Sequence, residues 1–177
     1  MSGQRLPVQI APFKLARQGQ TLQGIIELKG MERLAQALSD SGGNVSVELH
    51  FGIDEQGCHY VRGHLVCEVQ MICQRCMNPL TIPIEVDVSL AFVSSDEEAG
   101  QLPGIYEPYV VADEPIALAD IIEDELILAL PIVALHADQA CQPQIKAEEA
   151  GANESTQMET RPNPFAVLSE LKRQRQK

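Results

Sequence analysis

The sequence predicts an α+β domain: an antiparallel β-sheet meander with two packed helices, followed by a disordered linker and a C-terminal helix. Three observations predict it. Two long alternating stretches, 59–71 and 80–92, flank the turn Cys73-Gln74-Arg75-Cys76 as the two arms of a hairpin. An earlier alternation at Val45, Val47 and Leu49 joins the first arm through Asp54-Glu55-Gln56-Gly57. Residues 116–130 carry apolar side chains at helical spacing and stop at Pro131.

Taken in order, Leu22 to Leu28 reads as a first strand, held by Ile25 and Ile26. Met31, Leu34, Ala35 and Leu38 recur as the stripe of a short helix, which two glycines at 42 and 43 release into a turn. In the first hairpin arm Val61, Leu65, Cys67, Val69 and Met71 share a face. In the second, Ile82, Ile84, Val86, Val88, Leu90 and Phe92 do so. Short turns between consecutive strands make an antiparallel meander with one face buried and one wet. Residues 94–115 read as loop, with a short strand at Tyr109–Val111. Glu114-Pro115 then opens a helix over Ile116–Leu130, since proline suits a first turn and Asp113 and Glu114 suit the positive helix end. The expected domain spans 1–141. From 142 to 162 periodicity vanishes into Ala, Glu, Gln, Pro, Gly, Ser and Thr, the composition of a disordered linker. Over 163–177, Asn163-Pro164 caps a basic helix with a narrow stripe of Phe165, Leu168 and Leu171.

At 177 residues and 45% apolar content the chain can bury one core, which Val, Ile and Leu must build because Trp is absent. The net charge of −12 is unevenly spread: residues 82–160 hold 17 acidic groups and one lysine, residues 161–177 five basic groups and one acid. Such a middle repels phosphate and meets a basic protein more readily; acidic composition also serves solubility alone. No stretch approaches the ~20 apolar residues of a membrane span, and no signal-peptide pattern is read. Five cysteines, an odd number, argue against a disulfide framework. The expected compartment is the cytoplasm, with no membrane and no small-molecule substrate as partner.

Two thiols three positions apart at a hairpin tip can face one ion, and His136 and Cys141 are placed to supply a second half-site. Cys73, Cys76, His136 and Cys141 would make a closed Cys3His zinc site with no open position. Reduced structural thiols and a redox pair are the other readings. The 59 residues between Cys76 and His136 exceed the spacing usual in zinc ribbons. A strand rather than a helix follows Cys76, which disfavours redox use. Cys67 reads as a small core residue, and His50, His59 and His64 as unpartnered surface groups. Arg75, at the tip, suits either RNA phosphate or a neighbouring carboxylate. Glu123, Asp124 and Glu125 read as a solvated helix face, with partner contact as the alternative. Phe165 and Leu168 suit docking, and Lys172 and Arg173 phosphate contact.

Three blocks together make the chain resemble the YceD family, bacterial proteins associated with accumulation of large-subunit ribosomal RNA. They are Cys73-Gln74-Arg75-Cys76, then Glu123 to Pro131 preceded at a distance by Tyr106-Glu107-Pro108, then Pro162 to Leu168. Many members of that family carry further cysteines just after the helix, where this chain has His136 and Cys141. The resemblance implies non-enzymatic support of the synthesis, processing or stability of large-subunit (23S) ribosomal RNA. Its implied partners are the ribosomal RNA precursor or a ribosome-assembly protein. The competing reading is a zinc-stabilised adaptor that binds a basic ribosomal protein or a nuclease without touching RNA.

Overall fold

The computed structural model describes residues 6–137, 141 and 142. The expected linker from 143 onward and the expected terminal helix lie outside the described residues, and with them Phe165, Leu168, Lys172 and Arg173.

The elements run β1 (Gln9–Ile10), α1 (Pro12–Gln18), β2 (Thr21–Glu27), α2 (Glu32–Ala35), β3 (Asn44–Ile53) and β4 (His59–Ile72). They continue with β5 (Pro79–Val93), α3 (Asp96–Ala99), β6 (Glu107–Val110), β7 (Ile116–Ala117) and α4 (Leu118–Ala129). β2 to β5 form the expected antiparallel meander in sequence order. β6 extends it at the β5 edge but runs parallel. A parallel neighbour needs a crossover of about a dozen residues or more, and 94–106, with α3, provides it.

Alternation decides which face is buried. Val45, Val47, Leu49 and Phe51 of β3, then Val61, Leu65, Cys67 and Val69 of β4, form the inner face with Ile84, Val88, Leu90 and Phe92 of β5. Against it α4 packs Leu118, Ile121, Ile122 and Leu126. Cys67 is a core residue as expected, and burial pushes its thiol up. Gly63, opposite Leu49, admits no side chain: a Cβ there would stand 1.9 Å from the Glu48 carbonyl oxygen.

Several boundaries differ from the sequence reading. The helix near Met31 is a single turn, Glu32–Ala35, entered through a 3-10 turn at Leu28–Gly30. The helix expected from Ile116 begins at Leu118, because Ile116 and Ala117 pair with Ile10 and Gln9 as β7. Pro115 therefore precedes that strand and does not open the helix. Glu114 serves a different helix, since its carboxylate accepts the Phe13 N–H at 2.9 Å, in the first turn of α1. The stretch read as loop contains α3, where the N-cap Ser95 Oγ accepts the Glu98 N–H and Glu98 Oε2 reaches back to accept the Ser94 N–H. The histidines have partners: His50 with Thr21, His64 with Asp87, and His59 edge-to-face with Phe13.

Candidate metal centre

The β4–β5 ladder closes at Ile72 opposite Pro79, which leaves six residues for the tip. Cys73 N–H donates to the Asn78 carbonyl and Met77 N–H to the Cys73 carbonyl, both at 2.9 Å. Met77 closes the turn at φ 60°, a left-handed conformation that few non-glycine residues adopt. This turn folds Cys73 and Cys76 onto one side, both buried. The second half-site arrives from the far end of α4. Leu130 takes an extended conformation before Pro131, and the chain then runs beside the tip, where Gln74 N–H donates to the Ala134 carbonyl at 2.9 Å. Long sequence separation is thereby cancelled by the return of α4, and His136 and Cys141 meet the two tip thiols.

The four ligand atoms lie within 4.8 Å of one another. Cys73 Sγ is 3.6 Å from Cys141 Sγ; His136 Nδ1 is 3.4 Å from Cys76 Sγ and 3.6 Å from Cys141 Sγ. A tetrahedral zinc ion with bonds of about 2.3 Å to sulfur and about 2.0 Å to nitrogen needs sulfurs about 3.8 Å apart and sulfur–nitrogen edges of about 3.5 Å. These three edges are close to those of such an ion. The second ring nitrogen fits as well: Nε2 lies 3.1 Å from the Pro79 carbonyl, so an Nε2–H donates there and leaves Nδ1 as the ligand atom.

The cluster polarises its own thiols. Burial would raise the Cys73 pKa, but the backbone N–H groups of Cys76, His136 and Arg75 and the His136 ring bring it down to about 5. Cys73 thus acquires thiolate character without standing at a helix N-terminus. Hydrogen bonds to the sulfurs of Cys141 and Cys73 raise the His136 pKa. Arg75 joins the cluster. Its Nε donates to Cys141 Sγ at 3.3 Å and its Nη2 to the His136 carbonyl at 2.9 Å, so the guanidinium offsets thiolate charge and pins the second half-site to the tip.

Glu123 and Asp124 stand apart from this centre, on α4 against α2. The expectation of a solvated face fails for Glu123, which is buried. Its Oε1 accepts the Leu34 N–H at 2.9 Å, and its Oε2 accepts from Arg33 Nε at 3.0 Å and Nη2 at 2.9 Å. Arg33 also pairs with Asp124. Sequence reasoning missed Arg33, because nothing in the primary structure links it to a carboxylate ninety positions away.

Residues 61–172 match the family described as "Large ribosomal RNA subunit accumulation protein YceD". A relative of that name from Haemophilus influenzae is 32% identical over 169 residues, which covers 95% of this chain and 97% of the relative. The chain belongs to the YceD family. The match to the family begins inside β4 and so takes in the whole tip, α4, and the returning segment with His136 and Cys141. No solved structure matches the chain. Among the described residues no helix is long and apolar enough to cross a membrane.

Proposed function

We propose that this chain is a non-enzymatic factor that sustains large-subunit ribosomal RNA, and that it does so as a zinc-stabilised adaptor working through a protein partner. The family and the relative's name support the biological role. The single observation that supports the zinc reading is the Cys73–Cys76–His136–Cys141 set, whose four ligand atoms gather within 4.8 Å of one another and three of whose contacts are close to the edges of a tetrahedral ion. Those four residues fill all four positions of such an ion and leave none for a substrate or an activated water, as in structural rather than catalytic zinc sites. Bound there, zinc would tie the end of α4 to the hairpin tip across the 59 residues that separate the half-sites.

The test has two arms. The purified protein is expected to hold close to one equivalent of zinc, and Cys76→Ser to hold none. A metal-free protein whose melting is unchanged by chelation would overturn the structural-zinc reading. Cells that lack the protein are expected to lose large-subunit RNA relative to small-subunit RNA and to regain it with the wild-type chain. A normal ratio without the protein would overturn the role itself.

A further inference from the structure

The knuckle carries a rim of large apolar side chains that the fold leaves in water. Met77, in the tip itself, is 68% exposed, and Ile72, just before Cys73, is 39% exposed. On the returning segment Ile132 is 96%, Val133 54% and Leu135 44% exposed. All five lie close to the ligand cluster along the chain: Ile72, Met77 and Leu135 are adjacent to its members, and Ile132 and Val133 lead directly into Ala134, which is bonded to Gln74. Apolar residues scattered singly on a surface need no explanation, but a cluster of this kind marks an interaction site. The segment that carries them is held at Gln74, Cys76 and Arg75 by hydrogen bonds, so the rim is set before a partner arrives and less order is lost on binding.

Charge selects the partner. Between Arg75 and Lys146 the sequence contains no lysine or arginine and thirteen carboxylates. β5 and α4, the elements that leave the tip and bring the chain back to it, carry Glu85, Asp87, Asp120 and Glu125 besides the two carboxylates that Arg33 engages. Arg75 is turned onto Cys141 and the His136 carbonyl. Such a surface repels the phosphates of RNA, and a chain of net charge −12 repels a second copy of itself. It complements a protein segment with apolar anchors on one side and lysine or arginine on the other.

We propose that the rim formed by Ile72, Met77, Ile132, Val133 and Leu135 is the docking surface for a basic amphipathic segment of another protein. This rests on the protein-partner reading above and locates it on the molecule. Met77 is the adaptable anchor, because its unbranched thioether fits partners of different shape.

The experiment is site-specific photocrosslinking in cells with the full-length chain. p-Benzoylphenylalanine replaces Met77 or Ile132, and Ile25, exposed on β2, serves as the control position. The expected result is a crosslink from positions 77 and 132, absent from 25, to a protein that mass spectrometry identifies as carrying a basic segment. A synthetic peptide of that segment is expected to bind the purified full chain and to lose at least tenfold in affinity with Met77→Ser plus Ile132→Ser. Zinc content and melting of the double variant are expected to match wild type, since both side chains are exposed. Crosslinks to RNA, to a second copy or to the same chain, no crosslink at all, or unchanged peptide affinity would each overturn the proposal. Large-subunit RNA measured in the same strains separates the two claims. If loss of the protein lowers that RNA while the rim captures no basic protein, the surface is wrong and the biological role stands.

Discussion

Glu123 sits beside the apolar stripe of α4, next to Ile122 and three positions before Leu126, and its carboxylate fills the gap between two helices. It serves a backbone N–H that a one-turn helix cannot satisfy internally and a guanidinium that has climbed over it. Glu123→Ala is expected to destabilise the fold by about 2 kcal/mol, the cost of leaving a buried donor without an acceptor. Glu123→Gln should cost less, because the amide oxygen still reaches Leu34. The pH dependence has a definite sign. Burial pulls the Glu123 pKa up, but the Leu34 N–H and the Arg33 guanidinium outweigh it and hold the group below its ordinary 4.5. Stability from this carboxylate is therefore full above about pH 4.5 and is lost as pH falls through the lower folded value. Urea unfolding between pH 6 and pH 3 should show a steeper loss for wild type than for Glu123→Gln; parallel curves would refute the assignment. At this scale Cys73 and Cys76 were legible in the sequence, since thiol spacing in a turn is a local property, whereas the approach of His136 and Cys141 depends on the return of the chain after α4. The burial of Glu123 was not legible, because three consecutive carboxylates look solvated until Arg33 is seen beside them.

At the scale of elements, the meander was legible and its edges were not. β3, β4 and β5 announce themselves by alternation and by the turns between them. β6 has four residues, too few to encode direction, so its parallel pairing follows from the crossover through α3. α1 did carry a signal, Pro12 at its start and Gly19 at its end, with Gly19 at φ 58° receiving the chain in the left-handed conformation. The first two residues of the expected long helix were lost to β7 because β1, just ahead of α1, offers a partner strand in space rather than in sequence. The knuckle joins two elements that no regular hydrogen-bond ladder joins, and this has a measurable consequence. Removal of zinc by a chelator, or Cys76→Ser, is expected to raise amide exchange at the tip residues 73–78 and on the returning segment 131–137. The paired centre of β3 and β4 should stay protected, since its ladder does not depend on the knuckle. Equal loss of protection throughout the sheet would mean that the metal holds the whole domain and not one junction.

For the molecule as a whole, the decisive property is the separation of charge along the chain. Residues 82–160 hold 17 acidic groups against one lysine, while residues 161–177 hold five basic groups against one acid. Phosphate binding follows cation count, with a salt slope of roughly 0.7 per contact on single-stranded RNA. Direct RNA affinity would then draw on the basic tail, Lys172, Arg173 and Arg175 with their neighbours, or on the charge-balanced residues 1–81, because β5, α4 and the segment after α4 offer only repulsion. If the tail makes the contacts, replacement of those three tail residues by Gln is expected to weaken binding to a labelled single-stranded ribosomal RNA fragment at low salt and to flatten the slope by about two units. If the chain works through a protein docked at the knuckle, the same triple variant should still restore large-subunit RNA in cells that lack the protein. The Met77→Ser, Ile132→Ser variant should not. The two variants therefore divide the alternatives cleanly: they act at opposite ends of the charge distribution, and neither touches a ligand of the metal centre. Failure of the tail variant to restore the RNA, with the rim variant fully active, would move the function from the knuckle to the tail and from protein contact to phosphate contact.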